Sequence, residues 1–322
     1  WREFYVNDAG NQIEKFGCSL EARYLQIFKG DEIEFPEDGY QGEDIKDLAK
    51  EYADLNGDSL VNVSAEERKK ALVDYALPKN IKKMQADMEK YKIFYDKWFF
   101  ESELHKSGAV KAVVDLLTEK GLTYEKDGAV WYKNKEVLTQ KLLKEGKSQK
   151  YIDNLELKDD VLIRQNGNPT YFTADIAYHK NKFDRGFTTL IDVWGADHHG
   201  HVMRMKGAMD AIGYDGDKLN VVLMQLVKLV KDGELVKMSK RTGKAIQLGD
   251  LLDEVPVDSA RFLFNTKEAN TQMDFDLDLA VSQDNQNPVY YVQYAHARIC
   301  SIFKSLAKEG ISPRECTDSE LA

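Results

Sequence analysis

Apolar residues recur at helical spacing through the first half of the chain, then gather into short β-branched runs in the second. Residues 3–6 predict a short strand, followed by a turn at Asn7-Asp8-Ala9-Gly10-Asn11. Ile13, Phe16, Leu20, Tyr24, Leu25 and Phe28 predict a helix over about 12–28. Further helices fit 42–54 and 64–95, the second broken at Leu77-Pro78 because proline has no N–H to donate. Trp98-Phe99-Phe100 reads as a strand, 107–120 as a helix stopped at Gly121, and 124–132 as a hairpin around Asp127-Gly128. Residues 133–160 are charged and poorly patterned, which predicts an inserted surface element.

From Val161 the pattern changes. A short strand, a turn at Asn166-Gly167 and a helix lead to a buried strand over 187–194. A helix over 202–212 and an apolar strand over 221–227 follow. Strand, helix and strand with few alternating polar positions predict a parallel sheet covered on both faces. Such sheets bind ligands at the carboxyl ends of their strands. Two polar loops fall at or near such ends: Gly195-Ala196-Asp197-His198-His199-Gly200-His201, and Lys237-Met238-Ser239-Lys240-Arg241-Thr242-Gly243 beyond a hairpin at Asp232-Gly233. Short helices over 248–252 and 259–265 and an acidic segment at 274–278 come next. Asn287-Pro288 then opens a long helix, with asparagine as N-cap and proline in the first turn. Its apolar stripe is Val292, Ala295, Ile299, Phe303 and Leu306.

With 322 residues, 43% of them apolar, the chain is long enough for two or three domains and a sizeable core. No apolar run approaches membrane-spanning length, and no signal peptide opens the chain. Cys18, Cys300 and Cys316 are scattered and fit a reducing compartment, hence a cytoplasmic location. A net charge of −10 argues against a protein that coats nucleic acid generally, though a local basic surface remains compatible with it.

The loop at 237–243 carries the clearest chemistry. Two ammonium groups, a hydroxyl and backbone N–H groups suit a polyphosphate, although such a loop by itself reads better as solvated lysines. His198, His199 and His201 offer metal-ligand chemistry, so a metal-dependent hydrolase is an alternative; no second cluster clearly supplies further ligands, so no metal site is assigned.

Taken together in order, YVNDAGNQ, YFTADIAYH, GADHHGH, KMSK and NPVYYVQYAHARI closely resemble arginyl-tRNA synthetase, a class I aminoacyl-tRNA synthetase. The resemblance runs from Glu3 to about Lys304. It implies an α/β fold: a Rossmann-type parallel-sheet catalytic domain with a mainly helical connective insertion, followed by the start of an all-α anticodon-binding domain. On that pattern 1–40 belong to the catalytic domain, 41–160 form the insertion and 161–247 hold the second half with the KMSK loop. Residues 248–286 then form a stem-contact-like linker, and 287–322 open the anticodon-binding domain.

The implied reaction is ATP-dependent activation of L-arginine, with Mg2+ bound to the nucleotide, and transfer to tRNA(Arg) with release of AMP and pyrophosphate. The implied protein is a monomer with no membrane attachment. The family's His-x-Gly-His signature belongs before YVNDAGNQ, so the chain reads as an interior fragment, inactive by itself. The His198–His201 run fits the same pattern by coincidence, since it lies too close before Lys237. A non-catalytic tRNA-binding module is a further alternative, against which the intact KMSK weighs.

The resemblance also implies roles. Tyr171 and Asp175, four apart on one helix face, line the arginine pocket, where a carboxylate can take a guanidinium's two parallel N–H bonds. Asp197 faces either arginine or the ribose. Gly195, His198, His201 and Met238 lie beside ATP; Gln225 borders the adenine or is simply a core-edge residue. Lys237, Ser239 and Lys240 stabilise phosphate charge as pyrophosphate leaves. Tyr290, Tyr291, Gln293 and Arg298 contact tRNA by stacking and charge, or serve as ordinary helix-packing residues.

Overall fold

A computed structural model describes residues 1–236 and 246–321. The chain divides into two compact units, Trp1–Ala86 with Phe94–Gln225, and Asp87–Ile93 with Leu226–Ala322.

Within the first unit, three helices form one core: Asn11–Lys29, Glu43–Asn56 and Ala65–Lys90 up to Ala86. Their apolar stripes meet at Phe16, Leu20, Tyr24, Leu48 and Leu72. Two polar side chains inside are satisfied, Tyr24 and Arg68. Tyr24 hydroxyl donates to the Gly57 carbonyl at 2.8 Å and accepts from the Leu60 N–H at 3.1 Å. Buried Arg68 donates to the carbonyls of Leu60, Val61 and Val63 and to Glu21. Pro78 sits inside the third helix without breaking it. Leu72 and Ala76 before it and Ile81 after it are buried, and that packing outweighs the roughly 3 kcal/mol a helical proline costs. The helix ends at Lys90, earlier than the periodicity predicts, because Lys92 takes a left-handed φ of 61°. Ile93 N–H then returns to the Met88 carbonyl and Lys92 N–H to that of Glu89, the double bond of a Schellman end.

A second core holds the strands. Glu3–Val6 pairs in parallel with Lys97–Phe100. Two helices follow, Glu101–Lys106 and Ala109–Glu119, where periodicity predicts one; Gly108, at φ 75°, turns the chain between them. Thr123–Lys126 and Ala129–Tyr132 form the expected hairpin, with Asp127 and Gly128 both at positive φ, and Asp160–Ile163 adds a third antiparallel strand. Residues 133–160 are more than a surface insertion. Helices Asn134–Lys144 and Gln149–Asp153 bury Leu138, Leu142 and Ile152, and Leu138 seats against Gly207, where a Cβ would stand 2.6 Å from its methyl carbon. The signal was present as apolar residues four apart, masked by lysines between them.

Leu190–Gly195 and Leu219–Met224 form a parallel pair, Leu190 opposite Leu219 and Gly195 opposite Met224, joined through the His199–Ile212 helix. That helix starts three residues earlier than predicted, so the histidine-rich turn forms its first turn. The expectation of cover on both faces is not met. Leu190 and Leu219 are buried, whereas Ile191, Val193, Val222 and Met224 on the opposite face are exposed.

In the second unit, Val227–Lys231 lies between Met273–Asp276, parallel to it, and Glu234–Val236, antiparallel across the Asp232-Gly233 turn. The apolar run from Val221 is therefore two strands in two sheets. In the chain the KMSK residues come after the strands of this second sheet rather than directly after Leu219–Met224, which corrects the expectation that both polar loops lie at strand ends of one parallel sheet. Helices Leu248–Glu254, Val257–Phe264 and Leu277–Val281 bury Leu251, Leu263 and Leu277 against Phe275. Asn287 caps the Pro288–Lys308 helix as expected, its side-chain oxygen accepting the Val289 N–H at 3.0 Å. The stripe residues Val292, Ile299 and Phe303 are exposed.

Candidate active site

The Tyr171–Asp184 helix is anchored before it starts. Thr170 hydroxyl donates to the Val161 carbonyl and Thr173 hydroxyl to that of Leu162, both at 2.8 Å, fixing the first turn on the Asp160–Ile163 strand. Phe172, Ala174, Ile176, Ala177 and Tyr178 are buried, so the helix is gripped along most of its length. Tyr171 faces out and lines a cleft of about 930 Å³ together with Gly10, Asn11, Glu101, His105 and Arg164. Asp175, one turn further, is partly buried, and its Oδ2 accepts from His201 Nε2 at 2.9 Å.

Glu101 was not foreseen. It is 4% exposed, at the point where the Lys97–Phe100 strand passes into a helix. His105 Nε2 lies 3.3 Å from its Oε1, and the Asn7 amide, in the orientation its neighbours require, donates to Oε2 and to the Ala9 carbonyl at 3.0 Å. Tyr5, partly buried, lies within the electrostatic reach of Glu101. Burial first, and then the charges of Glu101 and Asp175, push this phenol far above the ordinary tyrosine range. The charges of both carboxylates thus bear on one partly buried hydroxyl, and two such negative charges favour a cation nearby. The sequence held one signal for Glu101, an acid directly after an aromatic strand.

The carboxyl edge of the parallel pair carries the other candidates. Gly195 ends its strand; Asp197 and His198 stand exposed in the single turn Ala196–His198; Gln225 is the first residue past Leu219–Met224. Trp194 packs against both His198 and His201, with ring centres 6.3 and 5.3 Å away. The three histidines diverge. His201 turns in to Asp175, His198 lies on Trp194, and His199 lines a separate cavity with Leu138, Met203 and Arg204. Among the described residues no three His, Cys, Asp or Glu side chains gather to hold a metal ion.

Behind this edge, His179 and Asp192 form a buried pair that sequence reading missed, with exposures of 2% and 8%. His179 Nε2 makes a short contact to Asp192 Oδ2, and Lys182 Nζ reaches Oδ1 at 2.7 Å. Burial pushes the Asp192 carboxyl up, but the hydrogen bonds and charges of His179 and Lys182 outweigh it and hold the group well below the usual carboxylate range.

Lys237, Met238, Ser239 and Lys240 lie outside the described residues. In the second unit Tyr290 and Gln293 line a notch of about 470 Å³ with Lys92 and Asn287; Tyr291 is exposed, and Arg298 lies over the Tyr294 ring at 5.8 Å. Among the described residues no helix is long and apolar enough to cross a membrane.

A strand–helix–strand frame with its polar turn at the carboxyl edge is the frame of a nucleotide-using α/β catalytic domain. Comparison with known proteins narrows this. Residues 40–300 match the family model described as the catalytic domain of class I tRNA synthetases (R). The chain is 57% identical over 312 residues to an arginine–tRNA ligase from Ruminiclostridium cellulolyticum, covering 96% of this chain and 52% of that protein. It is 56% identical to another from Caldanaerobacter subterraneus, covering 99% and 54%. A solved structure from Campylobacter jejuni, assigned as an arginyl-tRNA synthetase, is 37% identical and superposes with a TM-score of 0.79 over 96% of this chain and 63% of that one. The chain belongs to the class I arginyl-tRNA synthetase family. It spans about half the length of the curated relatives it matches.

Proposed function

We propose that this chain supplies part of the catalytic machinery of an arginine–tRNA ligase, which activates L-arginine with ATP as its magnesium complex and transfers it to tRNA(Arg). The observation that supports this best is a pair of carboxylates around Tyr5: Glu101, buried in the cleft beside Tyr171, and Asp175, partly buried one turn further along the Tyr171 helix. A guanidinium is planar and always charged, and its forked donors match two carboxylates where a lysine ammonium would not. Asp197, His198, His201, Gly195 and Gln225 then flank the nucleotide or the arginine backbone at the strand edge. Lys237, Ser239 and Lys240, with Met238 between them, take the phosphates. Tyr290, Tyr291, Gln293 and Arg298 present aromatic and cationic surface to tRNA. The protein works as a monomer in the cytoplasm.

The test is arginine binding by calorimetry on the natural full-length protein. Asp175→Ala should weaken arginine at least about a hundredfold, as expected when one partner of a sheltered charge pair is removed. Asp175→Asn, which keeps the shape, should fail likewise. Unchanged arginine affinity in either folded variant would contradict the site.

A further inference from the structure

We propose that His179, clamped by Asp192, is a positioning residue that sets where Asp175 presents its carboxylate to the substrate guanidinium, an inference that rests on the arginine reading of the cleft. His179 lies one turn after Asp175 on the same helix face, and its Nδ1 sits 2.7 Å from the Asp175 carbonyl oxygen. A carbonyl only accepts, so Nδ1 donates. Asp192 is an ionised acceptor, so Nε2 donates as well, across to the middle of the Leu190–Gly195 strand. Lys182 fixes the second Asp192 oxygen and lies over the Tyr178 ring at 4.2 Å.

The contacts form a closed ring. Trp194, two residues after Asp192, meets His179 edge-on at 6.3 Å and also packs on His201, which donates to the Asp175 carboxylate. Asp175 is thereby held at both ends, its carbonyl by His179 and its carboxylate by His201. Both histidines bear on one tryptophan of the strand. A buried ion pair seldom stabilises a fold more than apolar side chains of the same size would. What it adds is a fixed distance and direction between helix and strand. In a site of this kind a shift of about 1 Å can cost about a hundredfold in rate.

Three substitutions separate the contacts. A glutamine amide at 179 can reach the Nε2 position and donate to Asp192; an asparagine amide reaches only the Nδ1 position; leucine keeps neither. Made in the natural full-length protein and assayed by charging tRNA with arginine, His179→Leu and His179→Asn should raise KM for arginine about tenfold or more, leaving KM for ATP within about twofold. His179→Gln should recover most of the arginine KM. Equal rises in both KM values, an unchanged arginine KM in His179→Leu, or glutamine behaving like leucine would overturn the proposal. Failure of the wild-type protein to charge arginine would instead overturn the arginine site on which it rests.

Discussion

Asp192 shows at the residue scale how a carboxylate stays charged inside a protein. Water is lost, yet His179 and Lys182 more than replace it. Its folded value is depressed below the roughly 3.9 of an unfolded aspartate, so its contribution to stability is complete above about pH 4 and is lost as pH falls toward the folded value. Wild-type stability should therefore drop below pH 4 with a slope this group steepens by up to about 1.4 kcal/mol per pH unit. Asp192→Asn should lack that component and be less stable than wild type at pH 7, the gap narrowing in acid. Urea unfolding of both proteins across pH 2–7 checks it (the range extends about two units below the unfolded value), and parallel curves would contradict it. The placement of Tyr171 and Asp175 on one helix was legible from their spacing. Glu101 and His179 were not, because their meaning depends on partners, Asn7 and Asp192, that are close in space and distant in sequence.

Elements were legible where periodicity and turn chemistry agreed. The 123–132 hairpin, the asparagine-capped helix at 288 and the helix at 171 all follow such double signals. They were misread where one local signal met a contrary tertiary force. Pro78 stays helical because both sides of it are packed. The apolar run from Val221 reads as one strand because nothing local in Gln225-Leu226 announces a change of sheet. Close approach is equally invisible in sequence. Gly216, in the turn that feeds the Leu219–Met224 strand, donates its N–H to Asp210 at 2.7 Å, and a Cβ there would stand 2.3 Å from the Lys206 carbonyl oxygen. Backbone cannot yield as a flexible side chain can. Gly216→Ala should lower stability by about 1–3 kcal/mol. A melting temperature equal to wild type would show that the turn gives way freely.

For the whole molecule, the α/β class and the family were legible because five separated motifs stood in order. The division into two units was less so, since one of its boundaries falls inside an apolar run and another inside a helix. Lys240 distinguishes chemistry from folding at this scale. Lys240→Ala should leave the melting temperature unchanged and slow activation by about a hundredfold or more, the loss expected for one group that stabilises charge developing in the transition state. A lower melting temperature with normal activation per folded molecule would make the loop structural. The proposed selection of a guanidinium is tested most directly by charging total tRNA with each amino acid, and with citrulline as the uncharged isostere of arginine, using the natural full-length protein. Glu101 and Asp175 predict charging with arginine alone. Charging with citrulline at a comparable rate, or with any other amino acid in preference to arginine, would contradict it.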